Sequence, residues 1–140
     1  MNNPIPELLA AWDAYRATVP RMMGRKALEE FAGNFRRQGY QDASGKEHPW
    51  AKRKREDKGK RGKPAKRRAI LIKTGNLRRS MVVARLLSDS AVIQEKMPYG
   101  RPLQEGSDTM VARPFMVASL RLREAIVQQI SKDAKRIFHA

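Results

Sequence analysis

Two histidines, a few carboxylates and one dense run of cations are the residues of this chain with chemistry to offer. His48 and His139 lie 91 positions apart, and neither has a second ligand at metal spacing. The short separations that let two imidazoles reach one zinc ion are therefore absent. Asp13, Glu29, Glu30, Asp42 and Glu47 scatter over expected helix surfaces and a turn, positions where carboxylates are solvated more often than paired for acid–base or two-metal work. The chain has no cysteine, hence no thiolate nucleophile and no disulfide framework. It carries neither a nucleophile elbow nor a glycine-rich phosphate cradle. The expectation is a protein that is not an enzyme and that holds no metal and no cofactor.

The cations are the compositional outlier. Lys52, Arg53, Lys54, Arg55, Lys58, Lys60, Arg61, Lys63, Lys66, Arg67 and Arg68 put eleven positive charges into 17 residues, against Glu56 and Asp57. That is a net +9 of the chain's +16, and the pI is near 11.0. Such a run is suited to phosphate contact, because each neutralised phosphate releases counterions and gives salt-sensitive, sequence-independent affinity. It has no interleaved aromatics on which bases could stack, so sequence readout is not expected. An acidic protein surface, or plain solvation, would satisfy the same charges. Like charges at this density repel, and Gly59, Gly62 and Pro64 disfavour a helix, so residues 46–68 read as a mobile basic loop. Trp50, just before the run, could stack on a base or pin the start of the loop to the core; its amphipathic ring favours the second role.

The elements that position these residues follow from periodicity. A length of 140 residues suits one domain, 1–140. Asn3, Pro4 and Pro6 mark a helix start, and Leu8, Trp12, Tyr15 and Val19 form one apolar stripe. Pro20 interrupts it. Met23, Ala27, Leu28, Phe31 and Phe35 form a second stripe, with Gly39 as the helix stop. Asp42-Ala-Ser-Gly45 is turn chemistry. Ala69–Ile72 has strand character, and Thr74 to Ser80 reads as a capped helical turn in which Thr74 accepts from an N–H two or three residues on, Gly75 easing the change of direction. Met81–Leu87 and Ala91–Lys96, joined by Ser88-Asp89-Ser90, suggest an antiparallel hairpin. Arg113-Pro114 is expected to open the longest amphipathic helix, with Phe115, Ala118, Leu122, Ile126, Ile130 and Ile137 on one face. The fold class is α+β: two N-terminal helices, a small antiparallel sheet with a hairpin, and a long C-terminal amphipathic helix packed on the sheet. No apolar run approaches the ~20 residues of a membrane span, and no secretory signal is expected.

Four segments in order carry a resemblance. They are Gly45-Lys-Glu-His-Pro-Trp50, Leu71-Ile-Lys-Thr74-Gly75-Asn-Leu77-Arg-Arg-Ser80, Tyr99-Gly-Arg-Pro-Leu-Gln104-Glu-Gly106 and Ala112-Arg113-Pro114-Phe115-Met116. Together they resemble the virion morphogenesis, or tail-completion, proteins of tailed bacteriophages and, more distantly, phage neck proteins. Leu103 stands where that family has histidine, and the basic stretch is longer than the family norm. The resemblance implies a homo-oligomeric ring, six-fold by expectation, at the head–tail junction or tail end of a virion assembled in the host cytoplasm. Its implied partners are tail-tube or connector proteins and, non-specifically, the double-stranded DNA that passes through. No membrane is implied.

Overall fold

Two long helices packed on each other carry the smaller elements, in a computed structural model that describes residues 3–53, 69–72 and 74–139. The chain opens with α1 (Ile5–Arg16), started by the Asn3 side chain, which accepts the Ile5 N–H at 3.1 Å, and by Pro6 in the first turn. It stops at Thr18, whose hydroxyl bonds back to the Tyr15 carbonyl. Pro20 then lies in the first turn of α2 (Val19–Arg37), where a missing N–H costs nothing. The proline that breaks the apolar stripe is thus the start of the second helix.

Helix α2 buries Met22, Ala27, Phe31 and Phe35. Its end differs from the expected glycine stop. Gln38 takes the left-handed conformation (φ 56°), and Gly39 already belongs to β1 (Gly39–Gln41). Gly39 is needed for closeness: a Cβ there would sit 2.5 Å from the His48 carbonyl oxygen of the facing strand. That strand is β2 (Glu47–Pro49), paired antiparallel with β1 across the Asp42–Gly45 turn. Residues 47–49 are therefore strand, not the beginning of a loop at 46, and the Trp50 that follows is buried. This first hairpin escapes sequence reading because three-residue strands carry too few alternations to register.

Ile70 and Leu71 form a turn where a short strand was expected, with Leu71 at φ 60°. Helix α3 (Asn76–Ser80) follows Gly75, which is left-handed at φ 75°, and the Asn76 N–H reaches the Thr74 hydroxyl at 3.4 Å, two residues on as expected. Strands β3 (Val82–Leu86) and β4 (Ala91–Gln94) make the anticipated second hairpin, closed by Leu87 N–H to Ser90 C=O at 2.8 Å and bulged between Val83 and Arg85. The bulge explains the imperfect alternation of this stretch, since an extra residue flips every side chain beyond it. Helix α4 (Gly100–Glu105) is short. The last helix, α5 (Leu120–Phe138), begins seven residues later than Arg113: Ser119 caps it by accepting the Leu122 N–H at 3.0 Å.

The class is α+β, with two separate two-stranded sheets and a long C-terminal helix. Helix α5 runs along α2 and α1, and its first turn meets the β1–β2 hairpin through Leu120 N–H to Asp42 C=O at 3.1 Å. The β3–β4 hairpin lies against α2. Helix α1 has no buried residue and is held on α5 by Trp12 against Phe138 and by the Tyr15 hydroxyl on Asp133 at 3.0 Å. Among the described residues, no helix is long and apolar enough to cross a membrane.

Helix α2 touches the β3–β4 hairpin so closely at Gly24 that a Cβ there would meet Val83 at 2.9 Å. Gly24→Val should therefore push the hairpin off α2 and destabilise the fold by about 1–3 kcal/mol, the usual cost of overpacking. Chemical denaturation compared with the wild type checks this.

Candidate functional site

The segment expected to begin the final helix is instead an irregular strap, residues 112–118, in neither helix nor strand, running between α4 and α5 with Phe115 buried at its centre. Arg-Pro-Phe explains why. Proline fixes its own φ and biases the residue before it toward extended backbone. Phe115 is fully buried (0 % exposed), with its ring 5.7 Å from Phe35, which in turn meets Trp50 edge-on at 5.5 Å. Burying one phenylalanine side chain contributes roughly 1.5–3 kcal/mol, so Phe115 is the strap's apolar anchor.

A segment in neither helix nor sheet must find partners for its less exposed peptide groups elsewhere. Side chains supply them. Gln104 accepts the N–H groups of Phe115 (2.9 Å) and Met116 (3.0 Å) on its amide oxygen and donates to the Met116 carbonyl at 2.9 Å. Asn34 on α2, 1 % exposed, donates to the Phe115 carbonyl at 2.9 Å. The Trp50 indole N–H donates to the Pro114 carbonyl at 2.8 Å. The Arg113 N–H donates to the Leu103 carbonyl at 2.7 Å, while its guanidinium bonds the carbonyls of Ala51 (2.9 Å) and Lys52 (3.3 Å). Trp50, Gln104, Arg113, Pro114 and Phe115, scattered over the sequence, thus meet at one place. Trp50, at 5 % exposure, is closed to base stacking and is a core anchor.

The other residues singled out in the sequence frame a cleft next to the strap. Thr74, Gly75, Leu77, Tyr99, Arg53 and Arg113 line about 500 Å³ of open space with Ile70 and Met97. Leu77 is buried beneath it, and the Ser80 hydroxyl caps α3 by donating to the Leu77 carbonyl at 2.7 Å. Gly106, at φ 83°, ends α4. Leu103 packs on the core instead of offering an imidazole. Of the cationic run, Lys52 is exposed and Arg53 donates to the Ala69 carbonyl at 3.1 Å. Lys54, Arg55, Lys58, Lys60, Arg61, Lys63, Lys66, Arg67 and Arg68 lie outside the described residues.

Two of the scattered carboxylates prove to be neighbours. Buried Glu30 accepts from the Ser119 hydroxyl (3.0 Å), Arg37 (3.0 Å) and Arg121 (3.1 Å), and Arg121 also pairs with Glu47. Sequence reading places Glu30 on a helix surface, and nothing in its spacing foretells the burial. With two guanidiniums on one carboxylate, this is a charge-matched joint of α2, α5 and β2, unlike the bare cluster a metal needs. Among the described residues, no group of three acidic or imidazole side chains could hold a metal ion. In the hairpin turn Asp42 accepts from the Ser44 hydroxyl (2.6 Å), the Ser44 and Lys46 N–H groups, and pairs with His48 at 2.7 Å. These bonds, the Ser44 hydroxyl foremost and His48 next, hold its carboxyl well below the usual carboxylate range. His48 stacks on Tyr40 at 4.9 Å. It is a turn fastener.

Comparison with protein-family models, with curated proteins and with solved structures finds no match to this chain.

The strap yields two expected outcomes. Gln104→Ala strips three peptide groups of their partner and should cost about 2–4 kcal/mol, since an unsatisfied buried group costs ~1–3 kcal/mol. Trp50→Phe keeps the ring but loses the N–H and should cost less, about 1–2 kcal/mol. Denaturation curves of the two variants check the order. Asp42 gives a pH signature. Its folded-state pKa is depressed, so its stabilisation is present above the unfolded value of about 4 and fades as pH falls below it. Asp42→Ala should lower the Tm at pH 7, and the gap to wild type should narrow below about pH 4. A gap constant across that range would refute the assignment.

Proposed function

We propose that this chain is a structural subunit of a tailed-bacteriophage particle, acting in tail completion or head–tail joining as one member of a ring around the DNA passage. The observation that carries the reading is the convergence of the motif residues. Segments whose order gives the resemblance to tail-completion proteins, though far apart in the chain, meet at one strap and the cleft beside it, as expected where a motif specifies a repeating scaffold. Among the described residues, no group of three acidic or imidazole side chains could hold a metal ion. The net charge of +16 fits a subunit beside a polyanion, where phosphate contact without base readout lets DNA slide.

A ring requires head-to-tail interfaces, in which each copy offers two different faces. The exposed apolar residues Ile5 and Leu9 on α1 and Val127 on α5 are available on separate parts of the surface for such contacts. The same charge also favours a second reading, a basic module that binds nucleic acid without sequence preference and outside any particle.

Native mass spectrometry and negative-stain microscopy of the purified protein, alone and mixed with tail-tube or connector proteins, separate the two. Closed rings of one subunit number, six by expectation, support the assembly role. A protein that stays monomeric in both conditions, and whose loss leaves infectious particles intact, would reject it in favour of the second reading.

A further inference from the structure

We infer that the groove between α2 and β3 is a second phosphate-binding surface, distinct from the cationic run at 52–68, and that it takes the backbone of double-stranded nucleic acid. The observation is where the unused arginines lie. Arg37, Arg113 and Arg121 are committed to carboxylates and carbonyls within the fold. Arg21, Arg25 and Arg85, by contrast, have no hydrogen-bond or ion-pair partner among the described residues, and all three are exposed. They line one groove of about 520 Å³ between α2 and β3, with Leu28, Val83 and Leu86 as its apolar part and, among the described residues, no carboxylate in its lining.

A guanidinium offers five donors and no acceptor, in a fork that matches phosphate oxygens two at a time. Three of them with no acceptor among the described residues leave that capacity for an external anion. Cations of one sign against low-dielectric walls also focus their field, so the apolar lining strengthens the attraction. Arg21 and Arg25 lie one helical turn apart, about 6 Å along α2. A duplex carries a negative charge about every 1.7 Å of its axis. A charge array that dense can neutralise all three arginines together, which an isolated acidic side chain cannot do. Gly24 lies between the two α2 arginines and lets β3 approach closely, so the same contact that docks the hairpin brings Arg85 to the groove. The inference concerns DNA contact by a single subunit and stands or falls apart from the ring.

The test is the salt dependence of duplex binding by the full chain, measured by fluorescence anisotropy on a labelled duplex of unrelated sequence. Each phosphate contact contributes a slope of about 0.9 in log K against log salt. The variant Arg21→Gln/Arg25→Gln/Arg85→Gln should lose about 2–3 units of slope. A control with the same charge change, Arg36→Gln/Arg78→Gln/Arg123→Gln, removes three arginines that are equally unpartnered among the described residues but dispersed, and it should lose less than about 1 unit. Equal losses in both variants would reduce the effect to net charge and overturn the proposal, as would no loss in the first. Should the triple variant fail to fold by circular dichroism, each single Arg→Gln is expected to lower the slope by about 0.9, and no change in any of the three overturns it. Binding of a glutamate-rich peptide that disappears in the first variant, while its duplex slope stays at the wild-type value, would assign the groove to an acidic protein instead and overturn it too.

Discussion

A strap in neither helix nor sheet, pinned at its centre by a buried phenylalanine, creates a demand for hydrogen bonds, and most of this structure can be understood as the answer. In a sheet the neighbouring strand satisfies such a segment at every second residue. The strap at 112–118 has no such neighbour. Amide and indole side chains stand in for one: Gln104 for two N–H groups and a carbonyl, Asn34 for one carbonyl, Trp50 for another. Each comes from a different element, so fixing the strap also fixes α4, α2 and the end of the first hairpin relative to one another. The same device recurs at Gln38, which bonds the backbone of Ile70, and at Gln41, whose amide oxygen accepts the Arg121 N–H at 2.8 Å. A chain with small sheets and little regular pairing uses glutamine where larger folds use strands.

Charge serves the same joint in a different way. Glu30 is buried, and breaking such a pair is costly because the surviving charge is left without a partner. Its three donors come from α2, the cap residue of α5 and the first turn of α5. The site where the long helices converge is thus both apolar, through Phe35 and Phe115, and ionic, through Glu30. The arginines divide into those that hold the fold and those that face outward from it. A basic protein that commits some guanidiniums to buried Glu30, and gathers others in a groove with no carboxylate among its described lining residues, uses one residue type for two purposes.

The sequence made the long elements legible and the short ones obscure. Helix α2 and the body of α5 follow from apolar periodicity, and the second hairpin from β-branched runs on either side of Ser88-Asp89-Ser90. The start of α5 was misplaced because Arg-Pro-Phe resembles a helix opening when proline is weighed alone; the burial of Phe115 and the cap at Ser119 overrode it. Ala69–Ile72 is apolar enough for a strand, yet Ile70, Leu71 and Ile72 pack half-buried on the core around a turn, a difference that periodicity over four residues cannot register. Trp50, Gln104, Arg113 and Phe115 stood out from their motif context. Asn34 and Glu30 did not, since a polar residue on a helix is read as solvated until tertiary structure covers it. Ser119 likewise gave no signal beyond its suitability as a cap.

The two ends of the cationic run have a particular geometry. Arg53 reaches the Ala69 carbonyl, and Arg113 clamps the carbonyls of Ala51 and Lys52. Entry and exit are thus tied at their roots by side chains that belong to the described fold. Closing a longer flexible chain between two fixed points costs only about 0.6 kcal/mol for each doubling of length. With both attachment points held from inside the fold, an insertion or a change of charge between residues 53 and 69 leaves the places where the chain departs and rejoins as they are.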